Sequence, residues 1–115
     1  MPKLALYVAL EAKPGKEDAL ADLLRHAQAM VQAEPGTIAW FAVRLGRSHF
    51  AIFDAFSSEH GRDAHLAGKV AAALQERASE LLTSPPEIQK ADVLASKISL
   101  APVEGVISSP KTATR

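Results

Sequence analysis

His65 and Asp54 are the side chains of this chain that are best suited to proton chemistry. An imidazole titrates near neutral pH, so His65 is the first candidate for a general base. Asp54 shares one face of a predicted strand with Phe50, Ile52 and Phe56, where an unpaired carboxylate would be costly. The sequence therefore predicts that one of these two groups accepts a proton from a substrate.

Each candidate also has a purely structural interpretation. On one continuous helix, His65 lies on the face opposite Leu66 and Val70, where it would contact solvent. A break in the helix at Gly68 would allow the histidine to face inward, because the two segments need not share a face. Asp54 could equally form an ion pair, or accept hydrogen bonds near the entry of the next helix.

Trp40 and Tyr7 are the candidates for lining a substrate pocket, and Tyr7 could also donate a hydrogen bond. In a small sheet, aromatic residues more often belong to the core or to a dimer interface, so this alternative stays open for both. Arg44 could steady an anionic intermediate, although an arginine near the end of a hairpin usually contacts solvent.

The residue types argue against several classes of function. Without cysteine, the chain has no disulfide, no thiol nucleophile and none of the commonest zinc ligand. Its four histidines include no pair four residues apart and no His-Glu motif, so we expect neither a metal nor a cofactor. Thirteen basic residues balance thirteen acidic ones, so no charge surplus favours a nucleic-acid partner. No apolar run reaches the roughly 18 residues of a membrane span, and no secretory signal is evident, so we expect a cytoplasmic protein.

The elements that must position these residues follow the order βαββαβ of a ferredoxin-like split βαβ fold. Lys13-Pro14-Gly15 and Glu34-Pro35-Gly36 frame an amphipathic helix, because proline and glycine stop regular structure. Gly46, in the short loop that joins the second and third predicted strands, is typical of a type II′ turn. The predicted elements are strands over residues 3–11, 37–45, 48–56 and 87–95, and helices over 16–33 and about 57–83, the second kinked near Gly68.

This order predicts an α+β domain over residues 1–97, with a four-stranded antiparallel sheet and helices on one face. Residues 98–115 are predicted to form a partly disordered C-terminal tail. Two helices cover only one face of such a sheet, yet three strands are apolar on both faces. We therefore expect a homodimer packed sheet against sheet, with a monomer whose tail covers the second face as the alternative.

Four motifs resemble the antibiotic biosynthesis monooxygenase (ABM) domain family, over about residues 3–97. They are Lys13-Pro14-Gly15-Lys16-Glu17, Glu34-Pro35-Gly36-Thr37, Phe50-Ala51-Ile52-Phe53-Asp54-Ala55-Phe56 and Asp63-Ala64-His65-Leu66. The resemblance implies a dimeric α+β barrel, in agreement with the two-faced strands, and it supports His65 as a site residue. Characterised members of the family include cofactor-independent monooxygenases that oxidise anthrones, quinols and related aromatic rings with O2.

The chain departs from the family pattern at several positions. Asp54-Ala55-Phe56 stands where the family often has Glu-x-Trp, and the hairpin loop is shorter than in many relatives. Haem-degrading members need an asparagine and a histidine where this chain has Val8 and Gln75. The resemblance therefore does not extend to haem degradation.

These observations lead to one hypothesis and two alternatives. The hypothesis is a cofactor-independent monooxygenase acting on a small aromatic quinol or anthrone, with His65 or Asp54 as the base and Trp40 and Tyr7 lining the pocket. One alternative is a non-catalytic homodimer that binds a small hydrophobic ligand in the same pocket. The other is a dimerisation module without an open pocket.

Overall fold

The computed structural model describes residues 1–99, so the tail predicted over residues 98–115 lies, from residue 100 onward, outside the described residues. Seven elements follow one another in the predicted order, except that the second predicted helix is divided in two. They are β1 (Leu4–Glu11), α1 (Glu17–Gln32), β2 (Thr37–Arg44), β3 (His49–Phe56), α2 (Glu59–Leu66), α3 (Lys69–Leu81) and β4 (Glu87–Asp92).

The strands form one antiparallel sheet in the order β2-β3-β1-β4. This order confirms the ferredoxin-like α+β fold that the succession of elements predicted. β4 is shorter than predicted because its last residue, Asp92, pairs with Leu4, where β1 begins. Beyond that point one more backbone hydrogen bond follows, from the Val93 amide to the carbonyl oxygen of Lys3, which precedes β1.

The helices cover one face of the sheet. Alternate residues of β1 and β3 point to this face, where they meet the apolar stripe of α1 and the inner side of α3. The core includes Val8, Leu10, Phe50 and Ile52 from the strands, Leu20, Leu24 and Val31 from α1, and Val70, Leu74 and Leu81 from α3. Burial of each large apolar side chain stabilises the fold by about 1.5–3 kcal/mol.

The other face of the sheet carries no helix within the described residues. Tyr7, Phe53 and Phe41 lie opposite one another on three neighbouring strands of this face, and Val43 lies beside them. These four side chains are between 38% and 58% exposed. This is the second apolar face that the sequence predicted, and the helices leave it open.

α2 and α3 are separate helices because the chain breaks at Gly68, which has an extended backbone (φ −91°, ψ −169°). The amide of Gly68 donates to the carbonyl oxygen of His65, and its own carbonyl oxygen accepts from Ala72 in α3. A Cβ atom at Gly68 would lie 3.2 Å from the His65 carbonyl oxygen, which is a tight contact. The predicted break is confirmed, and it turns His65 toward the sheet.

The loop between β2 and β3 corrects one expectation. A type II′ turn requires a positive φ at Gly46, and among residues 1–99 the glycine with a positive φ is Gly15 (φ 85°). Instead, the Leu45 amide donates to the His49 carbonyl oxygen, and the guanidinium group of Arg44 donates to the carbonyl oxygens of Gly46 and Arg47. Arg44 therefore closes its own hairpin.

Two glycines allow α2 to approach the turn between α1 and β2. A Cβ atom at Gly36 would lie 2.9 Å from the Cα atom of Gly61, and a Cβ atom at Gly61 would lie 2.9 Å from the carbonyl oxygen of Gly36. Because real Cβ atoms do not approach backbone so closely, any side chain at either position would push α2 away from the turn. Backbone contact thus fixes how near α2 lies to β2.

We expect Gly36→Ala to lower the free energy of unfolding by about 1–3 kcal/mol, the usual cost of overpacking, because the new methyl group meets backbone that cannot rotate away. Urea unfolding followed by circular dichroism measures the change. Gly46→Ala is the matched control, because a Cβ there meets nothing within 4 Å and the unfolded chain loses the same freedom. Equal stability of the two variants would show that the close approach is not a constraint.

Candidate active site

Asp54 lies at the centre of the sheet on the face covered by helices. Its Cα atom is paired with Leu6 of β1 on one side and with Trp40 of β2 on the other. The residue is 0% exposed, although a carboxylate is among the groups most costly to bury. A charge at this position requires a partner inside the protein.

His65 of α2 supplies this partner. Its Nε2 atom lies 2.9 Å from Oδ2 of Asp54, and the histidine is 6% exposed. This distance makes the pair a short ion contact, whereas Oδ1 of Asp54 has no hydrogen-bond partner. The structure therefore brings together the two candidate proton acceptors that the sequence suggested separately.

Glu34 is a third member of the site, and sequence reasoning assigned it only to a turn. Its Oε1 atom lies 2.6 Å from Nδ1 of His65 and accepts a second hydrogen bond, of 2.7 Å, from the hydroxyl group of Thr37. The signal was present in the Glu34-Pro35-Gly36-Thr37 motif, but its Pro-Gly pair explained the turn so fully that the glutamate received no role.

The two carboxylates decide the protonation state of His65. Burial lowers its pKa, but hydrogen bonds and attraction from Asp54 and Glu34 outweigh that effect and raise the pKa above its usual value. In the protonated ring both nitrogens are donors, and each faces one carboxylate. The imidazole is therefore occupied on both sides and has no free nitrogen for a substrate.

A small cavity of about 30 Å³ lies beside the Asp54–His65 pair. Its other lining residues are mostly apolar and come from β1, β3, α3 and β4, among them Val8, Ile52 and Val70. Such a volume holds one or two water-sized molecules and is too small for an aromatic ring. The ring of Phe56, 5.5 Å from that of His65, closes the site on one side.

A groove of about 580 Å³ lies between α1 and the strands β2 and β3, at the β2 edge of the sheet, where Phe41 and Val43 of the open face also line it. It is lined by Leu24 and Gln28 of α1 and by Trp40 and Phe50 of the sheet, among others. The indole N–H of Trp40 is buried and has no hydrogen-bond partner. Trp40 thus belongs to a groove of ligand size and is also the cross-strand neighbour of Asp54.

Tyr7 lies elsewhere. It points to the open face of the sheet, in a row with Phe53 and Phe41, and is 38% exposed. Within one chain, Tyr7 and Trp40 therefore lie on opposite faces of the sheet. The register aligns Tyr7 with Phe53 on the open face and aligns Trp40 with Asp54 on the helix-covered face. Sequence alternation separated the two sets but did not tell which set faced the helices.

The remaining histidines stay apart from this site. His26 contacts the carbonyl oxygen of Asp22 on its own helix, and His49 lies 3.9 Å from Glu11 at the surface. Within residues 1–99, no group of three or more His, Asp and Glu side chains is placed to hold a metal ion. No helix in the same part of the chain is long and apolar enough to cross a membrane.

The comparison with known families now adds to this geometry. The model of the antibiotic biosynthesis monooxygenase family matches residues 4–77, which contain the sheet core, Glu34, Asp54 and His65. The chain belongs to this family. No curated protein matches the chain.

Solved structures of similar chains share the fold. A protein of unknown function from Nitrosomonas europaea is 55% identical, with a TM-score of 0.85, and the match covers 88% of this chain and 98% of that one. A Pseudomonas aeruginosa protein is 22% identical (TM-score 0.70, covering 83% and 97%), and one from Mycobacterium tuberculosis is 20% identical (TM-score 0.68, covering 91% and 99%). The last two similarities show the shared fold alone.

The raised pKa of His65 makes the stability of this ABM-family protein depend on pH. The unfolded chain binds the proton with the ordinary pKa of 6.5, whereas the folded chain binds it more tightly. The stabilisation is therefore complete below pH 6.5 and is lost as the pH rises through the folded pKa. Over that window we expect the free energy of unfolding to fall by at most about 1.4 kcal/mol per pH unit.

Urea unfolding at a series of pH values, in wild type and His65→Gln, measures this dependence. The difference between the two proteins should shrink as the pH rises. His60→Gln, which changes an exposed histidine on the same helix, should leave the wild-type slope in place. A wild-type advantage that grows with pH would mean that His65 is neutral in the folded protein.

Proposed function

We propose that this ABM-family protein is a cofactor-independent monooxygenase that oxidises a small aromatic quinol or anthrone with O2. One observation carries the proposal: Asp54, a buried carboxylate whose Oδ2 contacts His65 while its Oδ1 has no partner, is the cross-strand neighbour of Trp40, whose buried indole N–H has no hydrogen-bond partner. A buried acceptor and a buried donor side by side are expensive unless something completes them. A phenolic or enolic hydroxyl group, which both donates and accepts, fits that requirement.

Asp54 is the better candidate for the base. The family resemblance and the near-neutral titration of an imidazole favoured His65. However, each ring nitrogen of His65 already contacts a carboxylate. Asp54 has one oxygen, Oδ1, without a partner, and it lines a small cavity whose other lining residues are mostly apolar. In this proposal Asp54 takes the proton, and His65 holds the carboxylate in place and balances its charge.

The reaction needs few protein groups. Asp54 removes a proton from the substrate, and the resulting anion passes one electron to O2, giving a substrate radical and superoxide. Their combination forms a peroxide, and return of the proton with loss of water leaves a carbonyl group. One oxygen atom enters the product and the other leaves as water, so a CH2 centre becomes C=O and every electron comes from the substrate.

Cavity size suggests where the ring of the substrate would bind. The cavity of about 30 Å³ beside Asp54 has room for a water-sized molecule, whereas the groove of about 580 Å³ over Trp40 is in the range of small-molecule sites. In the proposed complex, the aromatic ring lies in the groove against Trp40 and Phe50 and directs its hydroxyl group toward Asp54.

Oxygen uptake by the purified protein, with a panel of hydroquinones, naphthoquinols and anthrones, tests this proposal against the spontaneous autoxidation of each compound. We expect Asp54→Asn to lower the turnover number by about 10²–10⁴-fold, the usual contribution of a general base. Asp18→Asn, which removes an exposed carboxylate from the first turn of α1, is the control and should retain wild-type activity.

Two results would count against the enzyme. Asp54→Asn with wild-type turnover would remove Asp54 as the base. Uptake at background with every compound, together with saturable binding of the same compounds in the groove, would favour the alternative of a non-catalytic ligand-binding protein.

We further infer that the protein forms a homodimer through the open face of its sheet. A contiguous apolar patch lies there, formed by Tyr7, Phe41, Val43 and Phe53. Such a patch differs from apolar residues that are exposed singly, which are common on monomers. Burial of such area against a second copy is favourable by roughly 25 cal/mol per Å². The family resemblance supports the same association.

Phe53→Glu should convert the dimer to a monomer, because it places a charge at the centre of the proposed interface, where it would be desolvated. Sedimentation or light scattering at micromolar protein measures the mass. Leu45→Glu, which adds the same charge to an exposed apolar residue of the hairpin loop, should leave the dimer intact. A monomeric wild type, or a dimeric Phe53→Glu, would refute this interface.

A further inference from the structure

We propose that Glu34 is a positioning residue that acts through His65 to keep Asp54 ionised inside its apolar site. Glu34 lies outside the cavity and does not reach the proposed substrate. The functional part of the inference rests on the proposed role of Asp54 as base, whereas the linkage among the three side chains stands on geometry and is tested separately.

The three groups form a row that leads from the core to the surface. The side chains of Asp54, His65 and Glu34 are 1%, 7% and 19% exposed, and the row joins them by contacts of 2.9 and 2.6 Å. Glu34 borders an outer groove between α1 and the α2–α3 joint, which it shares with Ala64 and Lys69. Asp54 is thus shielded from water, whereas Glu34 is partly exposed to it.

The order of the row explains what Glu34 does. A carboxylate alone at the position of Asp54 would take up a proton rather than remain charged in an apolar setting. The imidazole compensates that charge only when both its nitrogens carry protons. A second carboxylate at Nδ1 stabilises this cationic form, so Glu34 supplies the condition under which His65 balances Asp54.

The charged groups around His65 are consistent with this account. Asp54 faces it from β3 and Glu34 from the α1–β2 turn. From α3, Lys69 lies in the outer groove with Glu34. On α2 itself, the buried Arg62 extends to the carbonyl oxygens of Ala5 and Ala91. The nearest charges on the ring of His65 are therefore the two carboxylates.

Several features of the fold serve to hold Glu34 in this position. The Thr37 hydroxyl group donates to the same oxygen that meets His65, which fixes the carboxylate plane. A Cβ atom at Gly68 would lie 3.1 Å from the other oxygen, and the backbone contact of Gly36 with Gly61 draws α2 toward the turn. A glutamate whose only role was to form the turn would need neither the Thr37 hydrogen bond nor the close approach of α2.

The test uses Glu34→Gln, which keeps the shape and an acceptor at Nδ1 but removes the charge, with Asp22→Asn as a control for loss of an exposed carboxylate. NMR titration of the His65 ring should move to lower pH by about one unit or more, which is a tenfold loss of proton affinity. Thr37→Val, which frees the Glu34 carboxylate without removing it, should cause a smaller shift in the same direction. It serves as a second variant in case Glu34→Gln folds poorly.

The kinetic readout separates positioning from a merely structural role. In Glu34→Gln, His65 loses its proton at lower pH, so a smaller fraction of the protein has a cationic partner for Asp54 near neutral pH. We expect the turnover number near pH 7 to fall about tenfold, KM to change less than about twofold, and the alkaline limb of the pH–rate profile to move down by about one unit together with the titration of the His65 ring. A simple loss of folded protein would lower the rate equally at every pH.

The outcomes distinguish this inference from the proposed function. If His65 titrates in Glu34→Gln as it does in wild type, the linkage is wrong, whatever the activity. If the titration shifts but wild type consumes no O2 with any compound, the linkage stands and the oxygenase proposal fails. If both are present but the pH–rate profile does not move, Glu34 has no positioning role in turnover.

Discussion

The ion contact between Asp54 and His65 is the interaction on which the site depends. A carboxylate with no exposed surface, set among Leu6, Ile52 and Phe56, is tolerated only because an imidazole lies 2.9 Å away. The imidazole in turn is held between two carboxylates rather than one, and together they raise its pKa despite its own burial. Charge compensation thus runs in series, from the turn after α1 through α2 to the centre of the sheet.

Backbone geometry makes that series possible. Glu34, His65 and Asp54 come from three different elements, and no two of them are close in sequence. They meet because Gly36 and Gly61 allow α2 to touch the turn, and because the break at Gly68 frees α2 from the orientation of α3. Side-chain chemistry at this site is therefore a consequence of glycine positions that carry no chemistry themselves.

The sheet divides two tasks between its faces. On the helix-covered face, Trp40 lines the larger groove and Asp54 lines the small cavity, and each has a buried polar atom without a hydrogen-bond partner. Tyr7 and Phe53 on the open face provide exposed apolar area, which suits association. A strand with period-two alternation serves both tasks at once, and this accounts for the near absence of polar residues in β1 and β3.

The sequence by itself determined the order of the elements and the ferredoxin-like fold, because proline, glycine and hydrophobic periodicity act locally. The family came from the resemblance of four motifs, and the family model confirms it. The sequence also singled out Asp54 and His65, and it predicted the break at Gly68. It missed Glu34, because the formation of a turn was a sufficient explanation for its motif. It grouped Tyr7 with Trp40, because alternation within each strand does not say which side chains of different strands share a face. Only the tertiary structure decided which face is covered and which carboxylates flank His65. Glu34 and His65 are 31 residues apart in sequence, and Asp54 and His65 are 11 apart. No local pattern encodes how a helix is placed against a distant turn.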